Sequence, residues 1–468
     1  MSSSTSSSAS SSSSHDGNGN GGGNGNGGGG SVGATSARRG GDFEGPSSSR
    51  RRAVNEVWPE PFVEALAAQV AIDASHSFGR LAAAPALANV FRVSSTWRAV
   101  SRSDLLWHRL TRSIWGRTHL LRATWRDEFV YWHRTAQNFR AGRSSHATLN
   151  FFDLTDMDDP DAHTCRCITL SDRHVACGFA DGAVRLFDIE SFVHIGTFQP
   201  HHPNRLGRFS QAVSGIVLTS NSGLVFARLD GDIHVAIINE PGPAAHPRRA
   251  HAGDVVRDGA LVDFTGCDRW WVGLYAGAAG RAFHIWDGVT EELLFVGGSL
   301  TDPEAVMGWH MLTEATEFVG RVRVTNQELG VACTSSRVMV FDLRNHGMIL
   351  GEEEYRRGVV VTSLDVGDGV YVTVDGRGRA SVRRVETMAE VCRFNMGASG
   401  GGVMGCMNMG CVLRSAGRVI MVWGAEHGEY LYRFRDRVGE LNAFVANERH
   451  VAAAGIDTTI HLWDFGAQ

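Results

Sequence analysis

The sequence has no lysine; each of its 45 basic residues is an arginine. One reading is a GC-rich coding sequence that favours arginine codons. Whatever the cause, contacts to carboxylate or phosphate take the planar, forked form of a guanidinium. Cysteine is sparse. Its eight residues are scattered without a repeated CxxC pair, which argues against a disulfide framework and suits a reducing compartment. No apolar run approaches the roughly 20 residues of a spanning helix, so no membrane partner is expected. The first residues are polar and lack the apolar stretch of a secretory signal. Also missing are GxSxG, HExxH, a phosphate-binding glycine loop, and a dinucleotide-binding glycine pattern in strand–helix context. No cysteine has a context that tunes a nucleophile. The expectation is a non-catalytic chain with no cofactor and no metal. His163, Cys165 and Cys167 alternate on one strand face, but a metal site needs a fourth ligand, and a buried strand with soft side chains is the simpler reading.

At 468 residues, length alone suggests about three domains. The formal charge of −5 hides an asymmetry: residues 1–146 carry 17 arginines against ten acids, residues 147–468 carry 28 against 40. Residues 1–50 are a serine tract, a Gly/Asn tract, then mixed small residues. Such composition cannot bury enough apolar surface to offset its ordering entropy, so residues 1–53 are expected to be a disordered tail. Arg50, Arg51 and Arg52 close it, as part of a nuclear import signal or as a solvated boundary.

Residues 54–117 read as a small all-α domain. Pro59 and Pro61 open a helix whose buried face is Phe62, Leu66 and Val70. Val90, Val93, Trp97 and Val100 share one helical face. Ser103 caps a further helix that buries Leu106 and Trp107. Residues 118–143 read as a linking helix with a stripe of Leu121, Trp125, Phe129, Trp132, Ala136 and Phe139, too apolar to leave in water. That helix is core, or a stiff arm that fixes the angle of the body behind it. Between residues 92 and 143 there are 11 arginines and three acids. This suits an acidic protein partner; the rival reading is DNA. Arg98, Arg102, Arg109 and Arg112 would share a stripe only if the helix ran unbroken through residues 101–103.

From residue 147 the texture turns to short β-type runs led by small residues and a turn. Seven recur, within residues 174–189, 224–238, 270–287, 330–343, 370–385, 411–424 and 451–465. Aligning Phe187, Ala236, Trp286, Phe341, Arg383, Trp423 and Trp463 gives spacings of 49, 50, 55, 42, 40 and 40. Such a period with hairpin turns predicts propeller blades, so residues 147–468 are expected to form an all-β seven-bladed propeller. The endings Trp286-Asp287, Phe341-Asp342 and Trp463-Asp464 resemble WD repeats, in degenerate form. The lone strand at residues 147–154 is placed to supply the outer strand of the last blade and close the ring.

The pattern Val93-Ser94-Ser95-Thr96-Trp97-Arg98 followed by Asp104-Leu105-Leu106-Trp107 resembles the second half of an F-box. Trp58-Pro59-Glu60-Pro61-Phe62 stands where F-boxes carry Leu-Pro. From NEVWPEPF through DGALVDFTGC and LTDPEAVMGWH to HLWDFG, the chain after residue 53 is similar to the STERILE APETALA-like family of plant F-box proteins with WD-like propellers. That resemblance implies a nuclear substrate receptor of a Skp–cullin–F-box ubiquitin ligase, acting in flower and organ growth. It implies a Skp-type adaptor and, through it, cullin as partners, and PEAPOD-type repressor complexes as substrates. On this reading Pro59, Phe62, Leu66, Val93, Trp97, Leu106 and Trp107 lie partly in the F-box core and partly against the adaptor. The missing lysine then gains a second reading, a chain beside a ubiquitin-transferring enzyme that offers it no lysine acceptor. The alternative function is a transcription regulator that binds DNA or chromatin through its basic helices.

Substrate residues are harder to read. The longest connection, residues 297–322, carries Trp309, Met311 and Phe318 among acids, as a recognition patch or as a covering helix. Arg205, Arg208, Arg321 and Arg323 are candidates for a phosphorylated or acidic target.

Overall fold

The computed structural model describes residues 58–150, 164–200, 207–238, 246–300, 319–356, 359–367, 369–397, 404–408, 410–416 and 418–466. The expected tail and the basic cluster at residues 50–52 lie outside the described residues, as do His163, Arg205 and Trp309.

Five helices come first: α1 (Glu60–Phe78), α2 (Ala83–Arg92), α3 (Ser95–Ala99), α4 (Asp104–Trp115) and α5 (Trp125–Ala141). Each of the last three starts on a hydroxyl cap. Ser94 accepts from the Trp97 amide, Ser103 from Leu106 and Thr124 from Asp127, each satisfying an amide that a helix start leaves unpaired. The face running from Val90 to Val100 is therefore interrupted at Ser94. α1 buries small residues, Val63, Ala67, Ala68 and Ala71, which let its backbone approach its neighbours. Leu87, Leu106, Trp107, Leu110, Ile114, Trp115, Phe129 and Trp132 complete that core.

The linking helix starts at Trp125, not at residue 118. Leu121 precedes it, is 65% exposed, and donates its amide to the buried Glu128 carboxylate. The helix touches both bodies. Phe129 and Trp132 belong to the helical core, whereas Phe139 packs into the propeller, its ring centroid 4.4 Å from that of Phe465.

Seven four-stranded antiparallel sheets follow. The innermost strands of neighbouring blades pack side by side around a ring. Closure is of the kind the sequence indicates, but the strand begins two residues before the expected 147–154, of which 151–154 lie outside the described residues: Ser145–Asn150 pairs with Thr459–Asp464, from Ser145 opposite Asp464 to Asn150 opposite Thr459. The ring thus has no open edge between its ends. All seven aligned positions fall on third strands. Phe187, Trp286, Phe341, Trp423 and Trp463 are buried, as is Ala236. Arg383 replaces the aromatic with a salt bridge to Glu353 of the preceding blade.

Antiparallel order divides the turns between two faces. Those joining first to second and third to fourth strands lie on one face. Those joining second to third strands, and blade to blade, lie on the other.

Candidate functional site

The helical unit docks on the first of those faces, through opposite charges. Arg117 donates to Asp172 at 2.8 Å and to Glu448, bridging first-to-second turns of blades 1 and 7. Its guanidinium lies 3.8 Å from the Trp132 ring centroid. Burial works against its charge, but Glu448 and Asp172 outweigh that and raise its pKa. Arg140 meets Glu429 at 2.9 Å, and the Asn138 amide donates to the Phe465 carbonyl at 3.1 Å. The acidic partner anticipated for the basic helices is thus in part the chain's own propeller.

The adaptor candidates divide by burial. Leu106 and Trp107 are core, and the Trp107 indole donates to the Ser101 carbonyl at 2.7 Å. Leu66 and Trp97 are half-buried. Pro59, Phe62 and Val93 are exposed, Val93 by 62%. Trp58 stacks on Phe62 at 4.8 Å, and both rings remain about half exposed. Ser103 donates to Glu64 at 3.0 Å and brings the start of α4 alongside the first turns of α1. There Leu105 is 73% exposed. Sequence reasoning passed over Leu105, although adjacent leucines on a helix cannot share one face. Arg92, Arg98, Arg102, Arg109 and Arg112 are exposed, with no ion pair among the described residues.

On the opposite face, Arg321 and Arg323 start the inner strand of blade 4 (Arg321–Val324). Both are engaged within the protein. Arg321 lies 3.5 Å from Asp263, and Arg323 lies 2.9 Å from Asp263 and 3.5 Å from Asp365. Asp263 also accepts the Val322 amide at 2.7 Å. Burial opposes the charge of Arg323, yet the two carboxylates raise its pKa. The cluster stitches blades 3, 4 and 5 at the channel. Arg208 opens a short 3-10 turn, Arg208–Gln211, before blade 2.

Cys165 is buried with Cys177 as its thiol partner, and burial pushes Cys411 up to about 12. Thiols so placed are inert rather than nucleophilic. Among the described residues no group of three His, Cys, Asp or Glu side chains is placed to hold a metal, and no described helix is long and apolar enough to cross a membrane.

No family model matches the chain. Among solved structures it is similar to the computationally designed protein Ika8 (TM-score 0.45, 16% identity, 65% of this chain and 97% of that one). It is also similar to BamB from Moraxella catarrhalis (TM-score 0.44, 14% identity, 64% and 85%). A protein of Arabidopsis thaliana described as the transcriptional regulator STERILE APETALA is 60% identical over 435 residues, covering 92% of this chain and 96% of that relative. With both chains aligned almost throughout at that identity, this chain belongs to the STERILE APETALA family.

Proposed function

We propose that the chain is a nuclear transcriptional regulator that works as the substrate receptor of a Skp–cullin–F-box ubiquitin ligase. The observation that carries this reading is the apolar surface around α1 and the start of α4, where Trp58, Pro59, Phe62 and Leu105 stand in solvent. Large apolar side chains left in solvent on helices joined by the Ser103–Glu64 hydrogen bond mark an interaction site. A Skp-type adaptor covers them and recruits cullin. The propeller holds a protein substrate, a repressor complex of PEAPOD type by family resemblance, on the face opposite the helical unit. The Arg117 joint and Phe139 fix the distance between the two. The chain contributes proximity rather than a catalytic side chain. Having no lysine, it presents no lysine amine to the charged enzyme.

The test uses the full chain. Phe62→Asp with Leu105→Asp should abolish co-purification with a Skp-type adaptor and leave the thermal unfolding midpoint in place. Retained adaptor binding by this folded variant counts against the reading. A second reading, DNA or chromatin binding, is favoured by the five exposed arginines from Arg92 to Arg112. It requires DNA affinity that falls steeply with salt and is lost when those arginines are replaced.

A further inference from the structure

Between α5, the closing strand and the outer edges of blades 6 and 7 lies a groove of about 880 Å³. That is near the upper end for pre-formed ligand sites. Neither reading above uses it. Its charge is unusual for this propeller. Four arginines line it without a carboxylate partner among the described residues: Arg122, Arg143, Arg433 and Arg435. All four are exposed. Arg122 is stacked 4.0 Å from the Tyr131 ring centroid, and Arg143 donates to the Asn138 side-chain oxygen at 3.1 Å. Both contacts orient a guanidinium without neutralising it.

The carboxylates of the groove are mostly taken. Asp464 holds Arg449 through two contacts, at 2.8 and 2.6 Å. Asp436 accepts the Trp463 indole N–H at 2.9 Å and faces His146 at 3.3 Å. Only Glu190 is an exposed acid. Tyr432 also lines the groove, its ring stacked on that of Phe434 with centroids 5.9 Å apart.

We propose that this groove binds an acidic peptide segment, its phosphorylated or carboxylate side chains held by Arg433, Arg435, Arg143 and Arg122. Guanidiniums recognise such groups through paired, charge-assisted hydrogen bonds. The groove is too large for one phosphate ion. A nucleic-acid backbone, with a charge at every step, would meet Glu190 and the paired Asp436 and Asp464 along the walls. A peptide can space its anions between them. The C-terminal glycine of α5 gives the site a consequence. Gly142 has φ +65°, and a Cβ there would come within 2.7 Å of the Tyr432 ring. The end of the arm therefore rests on a wall of the groove, and a bound peptide stiffens the joint between arm and propeller.

The experiment is fluorescence anisotropy on the full chain with three labelled peptides: one carrying spaced phosphoserines, its glutamate counterpart, and its plain serine counterpart. The two acidic peptides should bind and the serine peptide should not. Their ranking separates a phosphorylated ligand from a carboxylate-rich one. Arg433→Glu with Arg435→Glu should weaken acidic-peptide binding about tenfold or more, with an unchanged unfolding midpoint. Arg437→Glu, exposed but outside the groove, should leave it as it was. Hydrogen exchange at the last turn of α5 should slow on binding in the wild type and not in the double variant. Equal affinity for all three peptides would overturn the proposal. So would equal weakening by Arg437→Glu, or a DNA duplex that outcompetes the acidic peptides.

Discussion

In α4, two adjacent leucines go separate ways: Leu106 is fully buried and Leu105 is 73% exposed. Around the propeller, neighbouring strands treat their apolar residues differently. Inner and middle strands bury nearly all of them, and most exposed ones, such as Met348 and Ile349, sit on outer strands or turns. The helical unit closes its core with residues to spare and leaves a stacked Trp58–Phe62 pair in solvent, with Leu105 exposed at the start of α4. The propeller leaves its surplus spread along separate rims. The contrast teaches where a partner's apolar surface has most to gain. It also shows how the two regions are joined, with arginines of the helical unit meeting acids on propeller turns.

The largest break should come from Trp463→Ala. This side chain is fully buried between closing strand and core, and its loss should destabilise the propeller by about 3–5 kcal/mol. Denaturant unfolding measures it, and adaptor binding in native buffer should survive. Leu106→Ala should cost about 2–5 kcal/mol, while Leu105→Ala should stay within about 0.5 kcal/mol. Equal costs at the two positions would contradict the division between core and surface. Arg117→Ala removes the cation that bridges Asp172 and Glu448. Hydrogen exchange should quicken in the last turn of α5, and the unfolding midpoint of the blades should hardly move. Equal protection in variant and wild type would mean that Phe139, Asn138 and Arg140 hold the joint without it.

A smaller effect is pH-dependent. Burial lowers the pKa of His450 to about 4, against the pull of Asp464; unfolded, a histidine titrates near ~6.5. Between those values the unfolded chain binds a proton that the folded chain refuses. The stability from this histidine is present above about pH 6.5 and is lost as the pH falls toward 4. Denaturation midpoints should fall between about pH 7 and about pH 5, with a shallower slope for His450→Phe. An unchanged slope in that variant would assign the dependence to other groups.

How legible this was in the sequence depended on sequence distance. The blades were readable because the second and third strands carry apolar runs that end, in five of the seven, in an aromatic, the aligned ends falling at spacings of 40 to 55 residues. Even the closing strand was readable, since a lone strand before blade 1 and a missing strand at the end imply each other. The outer strands were not, because a face in solvent, as in Met348–Glu354, loses its apolar alternation. The start of α5 was misplaced because Leu121 continues the helical spacing by chance, while Thr124 sets the cap. Arg321 and Arg323 read as candidates for an acidic target because Asp263 and Asp365 come from other blades, invisible to any local pattern. The arginine groove was missed for the same reason, since its walls are as much as 327 residues apart along the chain, from Arg122 to Arg449.

On the proposed reading, the exposed apolar surface of the helical unit is an adaptor site held at a fixed distance from the propeller. The most direct measurement is calorimetric titration of a purified Skp-type adaptor into the full chain, compared with Phe62→Asp plus Leu105→Asp. The expected result is a stoichiometric complex for the wild type and a loss of at least about 2 kcal/mol of binding free energy in the variant, as for a buried interface anchor, with both proteins equally folded. Equal binding by the two, or none by the folded wild type, would contradict it.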